Sequence, residues 1–136
     1  FSPDMQEDVA FRPERVQFIC HQGSPVATAS AWHQAANSEA VGTLHMVGIV
    51  KAHAGHGLGA QVCLAALEQM KAERRQFAIL TTDDFRIPAI KTYLRLGFMP
   101  MLTHESHQQR WADILPRVGG ALAFAKPLTT IAAWIP

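Results

Sequence analysis

The sequence predicts a mixed α/β domain in which antiparallel strands come first and a parallel β-α-β crossover follows. The early part of the chain alternates polar and apolar residues with a period of two, which is typical of half-buried strands. The middle of the chain has apolar residues at helical spacing, and a short β-prone run follows it. A strand, a helix and a strand within about 40 residues indicate a right-handed parallel crossover. We therefore expect one central mixed sheet with helices on both faces.

Three strands are predicted before the crossover, over residues 15–20, 25–32 and 42–50. The turn-forming residues 21–24 separate the first two strands, which we expect to form an antiparallel hairpin or meander. The second half of the third strand is apolar at every position. Such a run is typical of a strand that is covered on both faces.

The crossover helix is predicted over residues 58–74 and the strand after it over residues 77–82. The helix prediction rests on one apolar face. This face is formed by Leu58, Val62, Ala65, Ala66 and Met70.

The later part of the chain predicts two helices and one strand. One helix starts near Pro88, which suits a first helical turn, and ends at Gly97, which suits a left-handed cap. A strand over residues 98–102 and a helix over residues 106–115 follow, and Pro116 is expected to end that helix.

Composition and charge exclude several classes of partner. The formal net charge is +1 and no basic stripe occurs, so neither nucleic acid nor an anionic membrane surface is expected as a partner. No apolar run reaches the length of about 18 residues that a membrane span needs. We expect a cytoplasmic protein in which Cys20 and Cys63 are buried thiols. Only 17% of the residues are charged and residues 120–136 are apolar, which favours a homodimer.

A glycine-dense stretch between a strand and a helix carries the clearest functional signal. Gly55, Gly57 and Gly59 occupy alternate positions just before and at the start of the helix. Glycine allows positive φ and close approach of a ligand, and amides at a helix start attract phosphate. The stretch therefore predicts an anion-binding loop. A dinucleotide-binding oxidoreductase fragment is an alternative, although three antiparallel strands precede the loop, unlike the usual arrangement.

Two motifs in this order resemble those of the GNAT N-acetyltransferase superfamily. Ala52-x-x-Gly55-x-Gly57, after the apolar strand end, is similar to the acyl-CoA diphosphate loop of that family, usually Gln/Arg-x-x-Gly-x-Gly/Ala. Ala89-x-x-x-Tyr93-x-x-x-Gly97-Phe98 is similar to its later helical segment. The resemblance is close over about residues 47–100 and includes the intervening helix and strand.

The resemblance implies that residues 1–136 form a single acyl-CoA-dependent N-acyltransferase domain that lacks the family's first strand and helix. Acetyl-CoA would be the co-substrate, and its acetyl group would pass to a primary amine of a small-molecule or peptide acceptor by direct attack in a ternary complex. The third strand would hold the pantetheine arm, the loop amides would hold the diphosphate, and Tyr93 would protonate the departing thiolate. The residues that would contact the cofactor are Val47, Gly48, Ile49, Ala54, Gly55, His56, Gly57, Gly59, Ala60 and Arg86.

Several positions depart from the family pattern. Ala52 stands where the family prefers Gln or Arg, Ala54 stands where it often has Arg, and Arg86 stands where an Asn often contacts the cofactor. A non-catalytic coenzyme A-binding module of the same fold is therefore the alternative function. From helical spacing alone, Tyr93 is equally compatible with a core position.

His45 is the candidate proton acceptor. Strand alternation places it on one face with Val47 and Ile49, and an imidazole suits proton transfer near neutral pH. Glu39, His33 and a water chain are alternatives.

Two His-x-x-His spacings also occur, at His53 and His56 and at His104 and His107. Neither has an obvious third ligand, so no metal is expected.

Overall fold

The computed structural model describes residues 7–8 and 11–119, so the apolar segment 120–136 lies outside the described residues. The chain divides into two compact units between Gln76 and Phe77. The first unit contains three strands and one helix: β1 (Val16–His21), β2 (Ser24–Trp32), β3 (Val41–Ile49) and α1 (Leu58–Ala72). Short 3₁₀ turns precede β1 and follow β3, at Pro13–Arg15 and Lys51–His53.

The predicted hairpin is confirmed, because β1 pairs with β2 in an antiparallel register that brings His21 opposite Ser24. The two residues between them, Gln22 and Gly23, have φ values of 49° and 79°. Two consecutive positive φ angles are typical of the two-residue turn whose twist matches that of paired strands.

Helix α1 packs against the sheet through a narrow apolar face. Its buried side chains are Val62, Cys63, Ala66 and Met70. Ala65, which was expected on this face, is exposed, and Cys63 takes its place in the core. Met70 fits over Gly42 of β3, where a Cβ atom would lie only 2.7 Å from the Met70 sulfur. The absence of a side chain at Gly42 therefore lets the helix approach the strand closely.

Strand β3 contains a β-bulge that reverses the side-chain alternation expected from the sequence. Thr28 of β2 lies opposite Gly48, whereas Ser30 lies opposite His45, so three steps along β3 match two steps along β2. Met46, inside the bulge, has a φ of 51°, which is uncommon for a residue with a side chain. Side chains before the bulge follow strict alternation among themselves, and so do those after it. Across the bulge, however, the alternation is shifted by one residue, so the two segments point to the opposite faces from those that an unbroken alternation predicts.

The second unit contains β4 (Phe77–Ile79), α2 (Ile87–Arg95) and α3 (Glu105–Val118) among its described residues. Gly97 follows α2 with a φ of 98°, as expected for a left-handed position after a helix. The strand predicted over residues 98–102 is wrong, since that segment has no regular structure.

Pro116 does not end α3, which continues to Val118. Proline removes one hydrogen bond near the end of this helix, whereas Trp111, Ile114 and Val118 all remain buried along one face. The burial of that face explains why the helix persists past the proline.

The mixed α/β class is confirmed. Antiparallel strands come first along the chain, and the strand–helix–strand order of β3, α1 and β4 follows. Within the described part of the chain, no helix is both long and apolar enough to cross a membrane.

An ion-pair network ties the start of β1 to the end of α1 and to the loop before β3. Glu73 accepts from Arg15 Nε at 2.8 Å and from Arg75 at 3.2 Å. Arg75, whose side chain is only 7% exposed, also contacts Glu39 at 2.8 Å. His33 Nε2 lies 3.2 Å from the other Glu39 oxygen. The Arg75 hydrogen bond and the nearby His33 lower the pKa of Glu39.

Burial alone would raise the pKa of Glu73, but hydrogen bonds from Arg15 and Gln69 outweigh burial and lower it below its ordinary value of 4.5. A lowered folded-state pKa gives stability that is present above the unfolded-state pKa and is lost as pH falls through the folded-state value. The network should therefore stabilise the fold at neutral pH and weaken below about pH 4.5.

Replacing Glu73 by Gln should lower the free energy of unfolding by about 1–2 kcal/mol at neutral pH. The difference from wild type should be smaller at an acid pH well below 4.5, because the wild-type carboxyl becomes protonated as the pH falls through its lowered folded-state pKa. Chemical denaturation at the two pH values measures both differences. Glu68→Gln is the matched control, because Glu68 is exposed and lies 3.9 Å from Lys71. A pH-independent loss in Glu73→Gln would contradict the assigned role of the charge.

Candidate functional site

The turn from β3 into α1 is fixed by backbone hydrogen bonds. The Val50 amide donates to the Val26 carbonyl at 2.8 Å, which anchors the end of β3 to β2. The His53 amide then donates to Val50 at 2.8 Å, and the Ala54 amide donates to Lys51 at 3.2 Å. Ala54, predicted as part of the anion-binding set, therefore already uses its amide inside the 3₁₀ turn.

Two of the three motif glycines are needed for their backbone conformation. Gly55 and Gly57 have φ values of 82° and 76°, and a Cβ atom at either position would meet nothing within 4 Å. The left-handed backbone, rather than crowding, is therefore what favours glycine there. Gly59 is different: its φ is not positive, and a Cβ atom would lie 3.0 Å from Ile49 Cδ1.

The amides of residues 55–60 donate no hydrogen bond to another backbone group within the described chain. The first bond of α1 runs from the Gln61 amide to the Gly57 carbonyl at 3.3 Å, and Gly57 caps the helix without a side chain. Unpaired amides at the start of a helix, together with its positive dipole end, form a site for an anion. The donors that the predicted anion-binding loop requires are therefore unpaired within the described backbone, and their binding of an anion stays a prediction.

Basic side chains surround this turn. Lys51 and His56 are exposed, and the rings of His21 and His53 lie 5.2 Å apart with a tilt of 54°. His56 Nδ1 lies 3.2 Å from the His53 carbonyl oxygen. His21 was not singled out in the sequence, because only the hairpin register brings the end of β1 next to the turn after β3.

The β-bulge changes the position of His45. His45 is opposite Ser30, whereas Ile49 is opposite Ala27, and residues 27 and 30 of β2 point to different faces. The expectation that His45 and Ile49 share a face is therefore wrong. The His45 ring lies 6.0 Å from that of Trp32, and burial lowers the pKa of His45. A lowered pKa keeps the imidazole neutral at physiological pH, as a proton acceptor requires.

The two alternative proton acceptors have structural partners. Glu39 is held by Arg75, and His33 bridges Glu39 and the Val41 carbonyl, which lies 3.1 Å from its Nδ1 atom. Both residues belong to the ion-pair network, and this assigns them a role in stability.

In the second unit, the predicted site residues are Tyr93 and Arg86. The Tyr93 ring is buried and meets the Phe98 ring edge-on, with centroids 6.1 Å apart. Arg86 is exposed, pairs with Asp83 at 2.8 Å, and places its guanidinium 5.7 Å from the centre of the Phe85 ring. Each of these contacts lies close in sequence, so they orient Arg86 locally.

The second His-x-x-His spacing has a capping function. His104 Nδ1 accepts from the Ser106 amide at 3.1 Å and so caps α3. His107 is buried and its Nδ1 accepts from the Thr103 amide at 3.2 Å. Over residues 7–8 and 11–119, no group of three or more His, Cys, Asp or Glu side chains is arranged to hold a metal.

The cysteines differ in their surroundings. Cys63 is buried, and burial raises the pKa of its thiol to about 12. Cys20 is exposed, so the expectation of two buried thiols is wrong for this residue. Cys20 lies on β1, where only one face of the strand is covered.

Comparisons with known proteins agree with the motifs. The model of the acetyltransferase (GNAT) family matches residues 2–98, more than half of the chain. The chain is also 33% identical over 96 residues to a protein named mycothiol acetyltransferase from Corynebacterium aurimucosum. That alignment covers 65% of this chain but only 31% of the relative, so the chain spans about a third of its length. No solved structure gives a significant match.

Replacing Gly57 by Ala should lower the free energy of unfolding by about 1–2 kcal/mol, because a side chain at positive φ is strained. Chemical denaturation measures the loss. Gly48→Ala is the matched control: its φ is not positive, and its Cβ atom would make an ordinary contact, 3.6 Å from Thr28 Cγ2. Equal losses in the two variants would contradict the conformational explanation.

Proposed function

Because the chain belongs to the GNAT acetyltransferase family, we propose that it transfers an acetyl group from acetyl-CoA to a primary amine. The observation that carries this proposal is the row of uncommitted amides at residues 55–60, before and at the start of α1. A diphosphate presents several anionic oxygens, which match a row of donors better than a single charged side chain would. The acceptor, the use of acetyl-CoA and the chemical steps are parts of the proposal.

The end of β3 is the proposed site for the pantetheine arm. Met46 and Val47 have no partner position on β2, because the bulge interrupts the register there. Gly48 and Ile49 resume the pairing and lead to the turn that presents the amides. Backbone groups of Val47, Gly48 and Ile49 would pair with the arm and fix the thioester relative to the diphosphate. An amide of this strand would stabilise the oxyanion that forms during attack.

In the proposed reaction the acceptor nitrogen attacks the thioester carbonyl carbon. The new C–N bond forms, and the C–S bond breaks as the tetrahedral intermediate collapses. The proton of the amine passes to His45, whose lowered pKa suits a proton acceptor. The departing thiolate takes a proton from the Tyr93 hydroxyl. The role of Tyr93 is the one that the family resemblance implies, and the role of His45 rests on the chemistry of its side chain.

The alternative is a module of the same fold that binds coenzyme A without transferring its acetyl group. Ala52 and Ala54 favour it, because they lack the side-chain charge that the family often places in this loop. The backbone amides do not depend on that charge, and Lys51 supplies a cation next to them. Release of free thiol from acetyl-CoA in the presence of a panel of amines distinguishes an enzyme from such a module.

A negative charge in the loop should weaken binding of acetyl-CoA. Gly55→Asp and Gly55→Asn form a matched pair, since both side chains tolerate positive φ and only one is charged. Calorimetric titration should give a dissociation constant about tenfold higher for Gly55→Asp than for Gly55→Asn, because the carboxylate repels the diphosphate.

Equal affinities in the Gly55 pair would place the diphosphate elsewhere. Titration with NAD is the ligand control and should give no comparable binding to the wild type. Binding of NAD in preference to acetyl-CoA would instead support a dinucleotide-binding protein.

Tyr93→Phe tests the proposed acid. Phenylalanine keeps the edge-on contact with Phe98 and removes only the hydroxyl, so the fold should be preserved. We expect turnover to fall about 10²- to 10⁴-fold while affinity for acetyl-CoA stays the same. Turnover equal to wild type would assign Tyr93 to the core alone.

A further inference from the structure

The turn after β3 carries basic groups that no carboxylate neutralises. Lys51, His21, His53 and His56 form no ion pair within the described residues. In the same unit, the ion-pair network lies where α1 ends, and there Arg15 and Arg75 each have an acidic partner. The start of α1 therefore carries basic side chains that are available to a ligand.

Two of these side chains, His21 and His53, are close enough to contact the same charged group of a ligand. The rings of His21 and His53 are 5.2 Å apart and tilted by 54°, so they are neither stacked in parallel nor separated by another side chain. His21 is exposed and His53 is half-buried, so an incoming ligand can reach both. Two imidazole rings at this distance can each donate an N–H to one anionic group, and a dianion accepts such hydrogen bonds more strongly than a monoanion does.

The pair is distinct from the amide row of residues 55–60. His53 belongs to the 3₁₀ turn, and His21 comes from the β1–β2 hairpin, whereas the amides belong to the glycine loop and the first turn of α1. Each phosphate of a diphosphate linkage carries about one charge, but a terminal phosphate monoester carries nearly two at neutral pH. Coenzyme A contains both kinds of group: the diphosphate linkage and a monoester on its ribose.

We propose that His21 and His53 form a phosphate-monoester subsite that reads the ribose phosphate of coenzyme A beside the diphosphate loop. This inference rests on the proposed function, because it assumes that acetyl-CoA occupies the loop. It assigns a ligand contact to the β1–β2 hairpin, which contributes none of the loop amides. Lys51 and His56 provide the surrounding positive field, and the imidazole pair provides the discrimination between ligands.

Calorimetric titration of the full chain with coenzyme A and with dephospho-coenzyme A tests the subsite. The two ligands differ only in the ribose phosphate. Wild-type protein should bind coenzyme A about tenfold or more tightly. In His21→Asn and His53→Asn this preference should fall to about twofold or less, while the affinity for dephospho-coenzyme A stays at the wild-type value.

Two further variants separate charge from structure. His21→Arg restores a cation and should recover most of the preference for coenzyme A. His104→Asn is the matched control, because asparagine also caps a helix start and His104 lies outside the loop and the imidazole pair. It should keep the wild-type preference.

The possible failures are distinguishable. Equal affinity of the wild type for the two ligands overturns the subsite and leaves the proposed function intact. An equal loss of affinity for both ligands in His21→Asn also overturns the subsite, because the histidine would then act on the diphosphate or on folding. Absence of binding of either ligand to the wild type overturns both proposals.

Discussion

The amides that open α1 find no acceptor on the described backbone, so an acceptor from water or from a ligand must satisfy them. A helix cannot satisfy its own first donors, and here the capping residue is Gly57, which has no side chain to accept from them. The amides of residues 55–57 also donate to no described backbone group, and Gly55 and Gly57 hold left-handed conformations there. The hydrogen bond from Val50 to Val26 keeps this arrangement at the end of the sheet. This bond ties the beginning of the loop to the sheet, and such anchoring favours a preorganised anion site.

Charge is distributed unevenly along the first unit, and the distribution follows the direction of α1. At the end of the helix, Arg15, Glu73, Arg75 and Glu39 neutralise one another and fix neighbouring segments. At its start, Lys51, His21, His53 and His56 form no ion pair within the described residues. If the proposed site is correct, substitutions at the end of the helix should change stability and substitutions at its start should change ligand binding.

The sequence was sufficient for features that depend on local pattern and insufficient for features that depend on register. The glycine spacing predicted the loop, and the period of two predicted the hairpin, because both patterns are local. The face of His45 could not be predicted, since the bulge at Met46 appears only in the pairing of β3 with β2. The contact of His21 with His53 could not be predicted either, because only the register of β1 with β2 brings His21 next to the turn after β3. His104 and His107 have a spacing that metal ligands can also have. In the structure, the Nδ1 atom of each instead accepts a hydrogen bond from a backbone amide near the start of α3.

The bulge also determines how changes in β3 should be grouped. Before the bulge, odd-numbered residues lie on the face that even-numbered residues occupy after it. His45 and Gly48 are therefore neighbours on one face of the sheet although they are three positions apart. A library built on every second residue of this strand would mix inward and outward positions. Deleting a single residue at 46 or 47 would restore simple alternation and leave both halves of the strand on the faces that they occupy now, whereas a deletion elsewhere in the strand would reverse the faces of one part of it.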